Sequence, residues 1–326
     1  MFRNTTYDFI RWRWHAIALS LVVVLGGVGL MVARGGLPLG IDFSGGTLVV
    51  LRFAEAVSED DVRAALESLE GEKVVQQYGE PEDNEIMIRL PQVAGTEQGF
   101  ALEEGAASAL EAVRQADLPE FEVLSTEVVG PVIGADLQRK GIYATLASIV
   151  GITIYIAVRF RFSFAAGAIA ATFHDVAVVL AFLSFFGYEL SLNVVAAILT
   201  ITGYSVNDTI VIFDRVRENS RLLRRDPLEK VVNLSVNQTL SRTVITAGTT
   251  FFAVLALYLF GGEVLHGFAF AMLVGIVSGT YSTVFIAAAI AIILSGRKAP
   301  AGRAAVPVEE AVAERPRKRG RNVRVS

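Results

Sequence analysis

Six long apolar runs constrain this chain more than any other feature of its sequence: Ala16 to Ala33, Gly141 to Val158, Phe162 to Phe186, Leu190 to Phe213, Thr243 to Gly262 and Gly267 to Gly296. Each is near or above the roughly 20 residues that an α-helix needs to cross the hydrocarbon of a bilayer. A chain of 326 residues with 53% hydrophobic content is compatible with one large soluble domain. The clustering of its apolar residues instead predicts a polytopic α-helical membrane protein with six transmembrane helices. Only two charges, Asp175 and Asp208, interrupt the runs.

Asp208 needs the most explanation. An aspartate deep in hydrocarbon costs roughly 2.5 to 3.5 kcal/mol on insertion scales, and its side chain is too short to snorkel, so such residues face a bundle interior, a water-filled cavity or a partner. One reading makes it interfacial, because Asp214, Arg215 and Arg217 follow the run and Asp208 lies about 8 Å inside that end. The other makes it a titratable group on an ion pathway, supported by Asn207 and Thr209 beside it and by Gly203 and Ser205 on the preceding turn. Asp175 falls near the centre of its run, where a relay and a structural hydrogen-bond acceptor are both open readings; His174 reads as a hydrogen-bonded core residue. Arg242, just before the fifth run, belongs to the same leaflet as Asp208 and is a candidate ion-pair partner, in a stripe with Thr239, Thr246 and Thr249. The alternative is a cationic anchor snorkelling to headgroups. In the sixth run, Gly267, Ala271, Gly275 and Gly279 form a small-residue ridge for close helix packing.

Short connections rich in arginine set the orientation: Arg3, Arg11 and Arg13 precede the first run, Arg159 and Arg161 separate the second and third, and seven basic residues lie between the fourth and fifth. These are expected on the cytoplasmic side, with both termini. Residues 1–14 then form a cytoplasmic lead-in, 15–34 an uncleaved first transmembrane helix, 35–138 an outer domain, and 139–296 the other five helices with a cytoplasmic loop near 214–242. The tail, 297–326, has 9 basic and 3 acidic residues and is expected to be disordered. Its charge suits anionic lipid or ribosomal RNA.

The outer segment is patterned as β-α-β-β-α-β, the order of a ferredoxin-like α+β unit. A strand is expected from Ile41, a Ser58-capped helix after it, strands over Lys73 to Tyr78 and Glu85 to Leu90, a helix over Phe100 to Gln115 and a strand over Phe121 to Val129. Between Gly35 and Gln138 there are 5 basic and 21 acidic residues, a formal −16. That charge fits a solvated surface, repulsion from anionic lipid, or attraction to basic polypeptide. Gly45 and Gly46 suit a bulge or turn. Without cysteine there is no disulfide or thiolate chemistry, and the GxxxxGK[ST] phosphate loop is missing.

At IDFSGG (Ile41 to Gly46), TFHD (Thr172 to Asp175), GYSVNDTIVIFDRVREN (Gly203 to Asn219) and NQTLSRT (Asn237 to Thr243) the chain resembles the SecF family of protein-export membrane subunits, within the RND superfamily. The resemblance covers roughly Arg13 to Leu294. It implies half of an RND-type bundle in the bacterial inner membrane, completed by SecD, and a non-enzymatic role with no cofactor or metal. It further implies proton-driven assistance to a translocating polypeptide at the SecYEG translocon, with YajC and YidC as further possible partners besides membrane lipid, and no nucleic acid. The family's proton-coupling residues map onto Asp208 and Arg242, and Asp175 matches the family's third-span acid in the relay set; Asn207, Thr209 and Thr246 would support the relay, and Asp42, Gly45 and Gly46 form the outer-domain motif. Half of a lipid or drug exporter, and a non-conducting translocon scaffold, are the rival readings.

Overall fold

The computed structural model describes residues 6–69, 73–79, 81–90 and 100–296; the basic tail lies outside these described residues. After a 3₁₀ turn, the first membrane helix α1 spans Arg13–Ala33. Then come a helical turn α2 (Ile41–Ser44), strand β1 (Gly46–Phe53), α3 (Glu59–Ala65), β2 (Val74–Tyr78), β3 (Glu85–Leu90), α4 (Phe100–Gln115) and β4 (Phe121–Val129). The remaining helices are α5 (Pro131–Arg159), α6 (Phe162–Phe186), α7 (Leu192–Leu222), α8 (Leu228–Phe260), α9 (Glu263–Ser282) and α10 (Ala288–Ser295). A π-helical segment, Thr283–Ala287, joins α9 to α10 within one membrane-crossing rod. Six helices are long and apolar enough to span, as the sequence predicts.

Between the first two spans, the strands form one antiparallel sheet in the order β2-β3-β1-β4, the ferredoxin-like arrangement. Val49, Leu51 and Phe53 alternate along β1 and meet Ile86, Ile88 and Leu90 of β3 under Val62 and Leu66, and under Ala109 and Val113 of α4. Ser58 caps α3 by accepting from the Asp61 N–H at 3.1 Å.

Two expectations need correction. The segment from Ile41 is not strand throughout: Ile41–Ser44 makes a helical turn, and β1 begins only at Gly46. Gly45 and Gly46 have φ of 70° and 121°, a region open to glycine, so the chain reverses there before entering the sheet. Nor is 214–242 a loop. Helices α7 and α8 run past their apolar runs and leave only residues 223–227 between them. Polar pairing holds these extensions together: Asn219 donates to Ser235 Oγ at 2.9 Å and to Gln238 Oε1 at 2.8 Å. Asn233 and Asn237, one turn apart, donate to the Tyr7 carbonyl at 3.0 and 2.8 Å and so clip the N-terminal segment onto α8.

In the membrane part, α6, α7 and the α9–α10 rod are the most buried, while α1, α5 and α8 keep broad apolar faces exposed. The small-residue ridge of α9 lies along α7: a Cβ on Gly275 would meet Ile201, and one on Gly279 would meet Ser205.

Candidate functional site

Polar side chains collect where α6, α7 and the α9–α10 rod meet. Asp175 of α6 is 1% exposed and fully engaged. Its Oδ2 accepts from Ser205 at 2.6 Å and Ser282 at 2.8 Å; its Oδ1 accepts from Ser278 at 2.7 Å and lies 3.1 Å from His174 Nδ1. One carboxylate thus ties three helices together. The serines escape a sequence reading that looks for charges, although Ser278 and Ser282 stand four residues apart, the spacing that puts two side chains on one helical face.

Asp208 has the opposite environment. It is 4% exposed, and its Oδ2 is buried with no hydrogen-bond partner among the described residues. Tyr204, one turn earlier on the same face, likewise has a buried hydroxyl without a partner among them. Arg242 acts on Asp208 electrostatically, yet among the described residues the two form no salt bridge, and Arg242 is exposed. The stripe beyond it does not close on α7: Thr246 and Thr249 bond carbonyls of their own helix, and Thr249 is exposed. Asn207 also points outward. Thr209 is buried next to Asp208 in sequence, but its hydroxyl pairs with Thr283 at the start of the π segment, 2.9 Å away. Asp208 and Thr209 are therefore inside, while Asn207 and Arg242 lie on an outer face of this chain.

The outer-domain motif contacts the same helix at its other end. Asp42 Oδ2 accepts from the Leu192 N–H at 2.8 Å, the first residue of α7, and Ser191 caps the helix by accepting from Val194 N at 3.3 Å. These two acceptors satisfy N–H groups that have no partner within the helix, and the Asp42 carboxylate sits at its positive dipole end. Around them the Gly40 N–H donates to the Leu190 carbonyl at 2.9 Å, and Leu190 N to the Pro38 carbonyl at 2.8 Å. Arg89 of β3 forms an ion pair with Glu189, linking the sheet to the residues just before α7. A Cβ on Gly134 of α5 would approach Gly45 N within 3.1 Å, so the Gly45 turn is also braced against α5. Sequence reasoning does not find the Arg89–Glu189 pair, whose members lie 100 residues apart.

Residues 109–297 match the family described as protein export membrane protein SecD/SecF, C-terminal, and residues 31–57 match the SecD/SecF GG motif. Protein translocase subunit SecF of Koribacter versatilis is 36% identical over 389 aligned residues, covering 94% of this chain and 96% of its own. The Rhodothermus marinus protein of that name is 41% identical, covering 94% and 98%, and that of Escherichia coli O157:H7 is 38% identical, covering 90% and 89%. Among solved structures, SecDF from Thermus thermophilus, described as a translocon-associated membrane protein, superposes with a TM-score of 0.79 at 36% identity over 90% of this chain. A super-membrane-facing form of SecDF gives a TM-score of 0.66 at 36% identity over 95% of this chain. This chain spans 39% and 40% of those two longer SecDF chains.

Proposed function

Because the chain belongs to the SecD/SecF family of protein-export membrane proteins, we propose that it is a SecF-type auxiliary subunit of the Sec machinery, working with SecD in a bacterial membrane. In this reading it uses the proton-motive force to promote late, ATP-independent stages of polypeptide translocation at SecYEG. The basic connections and both termini face the cytoplasm, the acidic ferredoxin-like unit faces outward, and YajC and YidC are further candidate partners.

The observation that carries this reading is Asp208: a buried carboxylate with one oxygen unmatched, on the helix whose far end the outer unit grips. Moving a cation toward or away from a buried carboxylate changes its proton affinity. A protonation step at Asp208 therefore shifts the balance between two positions of α7 relative to α8. From Leu192 to Asp208 the helix rises about 24 Å, and a continuous helix carries a displacement at one end to the other. Exposed Asn207 and Arg242 on spanning helices are costly against lipid, which supports a second half-bundle, SecD, packing over them. One charge moving through 100 mV is worth about 2.3 kcal/mol, enough to bias a small two-state movement but not to unfold a domain, so short repeated strokes fit best.

The test is an Asp208→Asn variant, shown to assemble with SecD, and assayed for secretion of a reporter protein under a full proton gradient. Secretion reduced to the level of cells lacking the gene is expected. Wild-type secretion would sink the coupling and leave a scaffold. Loss of lipid export with secretion intact, even on deletion, would identify an exporter instead.

A further inference from the structure

At the arginine-rich end of the bundle, a cleft of about 930 Å³ opens between the α5–α6 connection, the end of α7, the start of α8 and the end of α10. Four arginines line it: Arg159, Arg161, Arg217 and Arg221. Arg159 is already committed, bound to Asp214 at 2.7 Å and lying over the Phe160 ring. Arg161, Arg217 and Arg221 form no ion pair among the described residues, although they come from two separate parts of the chain. Their charges converge on one space, and no acid is among the residues that line it.

Apart from Ser163, Ser220 and Ser295, the rest of the lining is apolar. The floor is Phe213, 1% exposed and packed edge-on by Phe160 and Phe164 with ring centres 5.9 and 5.0 Å away. At the mouth, Val158 and Phe162 are 85% and 83% exposed, and Leu294 is half exposed. They sit at the ends of the spanning helices α5 and α6 and of the α9–α10 rod, where a helix long enough to span leaves the hydrocarbon. A free anion would use the arginines and gain nothing from these apolar residues. A ligand with an anionic head and a hydrocarbon tail uses both.

We infer that this cleft is a specific site for an anionic phospholipid, with the phosphodiester held by Arg161, Arg217 and Arg221 and the acyl chains lying against Val158, Phe162 and Leu294. Guanidinium forks bind phosphate oxygens through two parallel N–H···O bonds, and basic pockets between membrane helices recognise such headgroups. The bound lipid bridges the α5–α6 connection to the end of α7, the helix bearing Asp208, and so fastens that end to the membrane interface. The site needs no proton coupling and stands apart from the role assigned to Asp208.

The experiment is lipid titration of the full-length protein in neutral detergent, counting retained lipids by native mass spectrometry. Phosphatidylglycerol is compared with phosphatidylcholine on the parent protein, on a triple variant (Arg161→Gln, Arg217→Gln, Arg221→Gln), and on a charge-matched control (Arg224→Gln, Arg225→Gln, Lys230→Gln). Both variants retain the basic tail. One tightly held phosphatidylglycerol is expected on the parent and the control, with affinity at least about tenfold weaker in the cleft variant. Equal loss in both triples would reduce the effect to general surface charge, and equal binding of phosphatidylcholine would abolish the headgroup claim. Displacement of the lipid by inorganic phosphate as readily as by soluble glycerophosphoglycerol would make this a free-anion site, also against the inference. Should the triple variant fail to fold, Arg161→Gln alone, on the exposed connection, must still weaken phosphatidylglycerol and not phosphatidylcholine.

Discussion

Asp175 and Asp208 are the same residue type at similar burial, yet their surroundings assign them different work. Asp175 accepts from three serines on two neighbouring helices, and interhelical bonds of this kind contribute about 0.6 kcal/mol each in membranes. Asp175→Ala should therefore destabilise the bundle by about 2 kcal/mol, read as a lower unfolding midpoint in mixed micelles, with Asp175→Asn losing less because an acceptor oxygen remains. An unchanged midpoint for the alanine variant would show that the serines re-pair with their own helix carbonyls at no cost. Asp208 should behave in the reverse way. Its unmatched oxygen stabilises nothing, so Asp208→Asn should keep or raise the midpoint while secretion falls. A variant that loses stability and secretion together would place Asp208 in the packing.

The helices add constraints that no single residue carries. A Cβ on Gly167 of α6 would clash with the Ala287 carbonyl oxygen, in the π segment of the last span, and a backbone atom cannot step aside. Gly167→Ala should cost about 1–3 kcal/mol, and Gly275→Ala, whose Cβ would run into both γ-carbons of the buried, β-branched Ile201, should cost a comparable amount; an unchanged unfolding midpoint in both variants would mean the last span can slide. At the head of α7 the joint has two separable parts. Asp42→Ala removes an acceptor at the helix N-terminus, worth about 1 kcal/mol. For the Arg89–Glu189 pair, Arg89→Glu and Glu189→Arg should each impair secretion and the double exchange should restore much of it, because only the exchange rebuilds the ion pair. Additive defects in the exchange variant would show that the pair does not transmit force between sheet and helix.

At the scale of the molecule, polar side chains stand exposed on spanning helices. Asn207 on α7 and Arg242 on α8 are exposed although both sit within or at the edge of spanning segments, and broad apolar faces of α1, α5 and α8 have no cover among the described residues. The matching region of solved SecDF is about two-fifths of that longer chain. The protein has no native cysteine, so Asn207→Cys provides a unique thiol. Its labelling by a membrane-permeant maleimide should drop sharply when SecD is co-produced; equal labelling with and without SecD would put the partner on another face.

Periodicity and run length alone determined the number of spans, the ferredoxin-like order and the strand bounds of β3, because those depend on which residues must leave water and on the alternation of a half-buried strand. The same local logic singled out both buried aspartates, since a charge inside an apolar run is conspicuous without any partner in view. Tertiary structure decided their roles. Ser205, Ser278 and Ser282 reach Asp175 from other helices, and no spacing along one segment encodes that meeting. The helical turn at Ile41–Ser44 was hidden because its apolar residues continue into the strand pattern of β1, and the contact of Asp42 with the head of α7 lies 150 residues away in the sequence. The extensions of α7 and α8 were hidden for a related reason: Asn219 reads as loop until the facing helix supplies its hydrogen bonds, and Asn237 until Tyr7 of the N-terminal segment does.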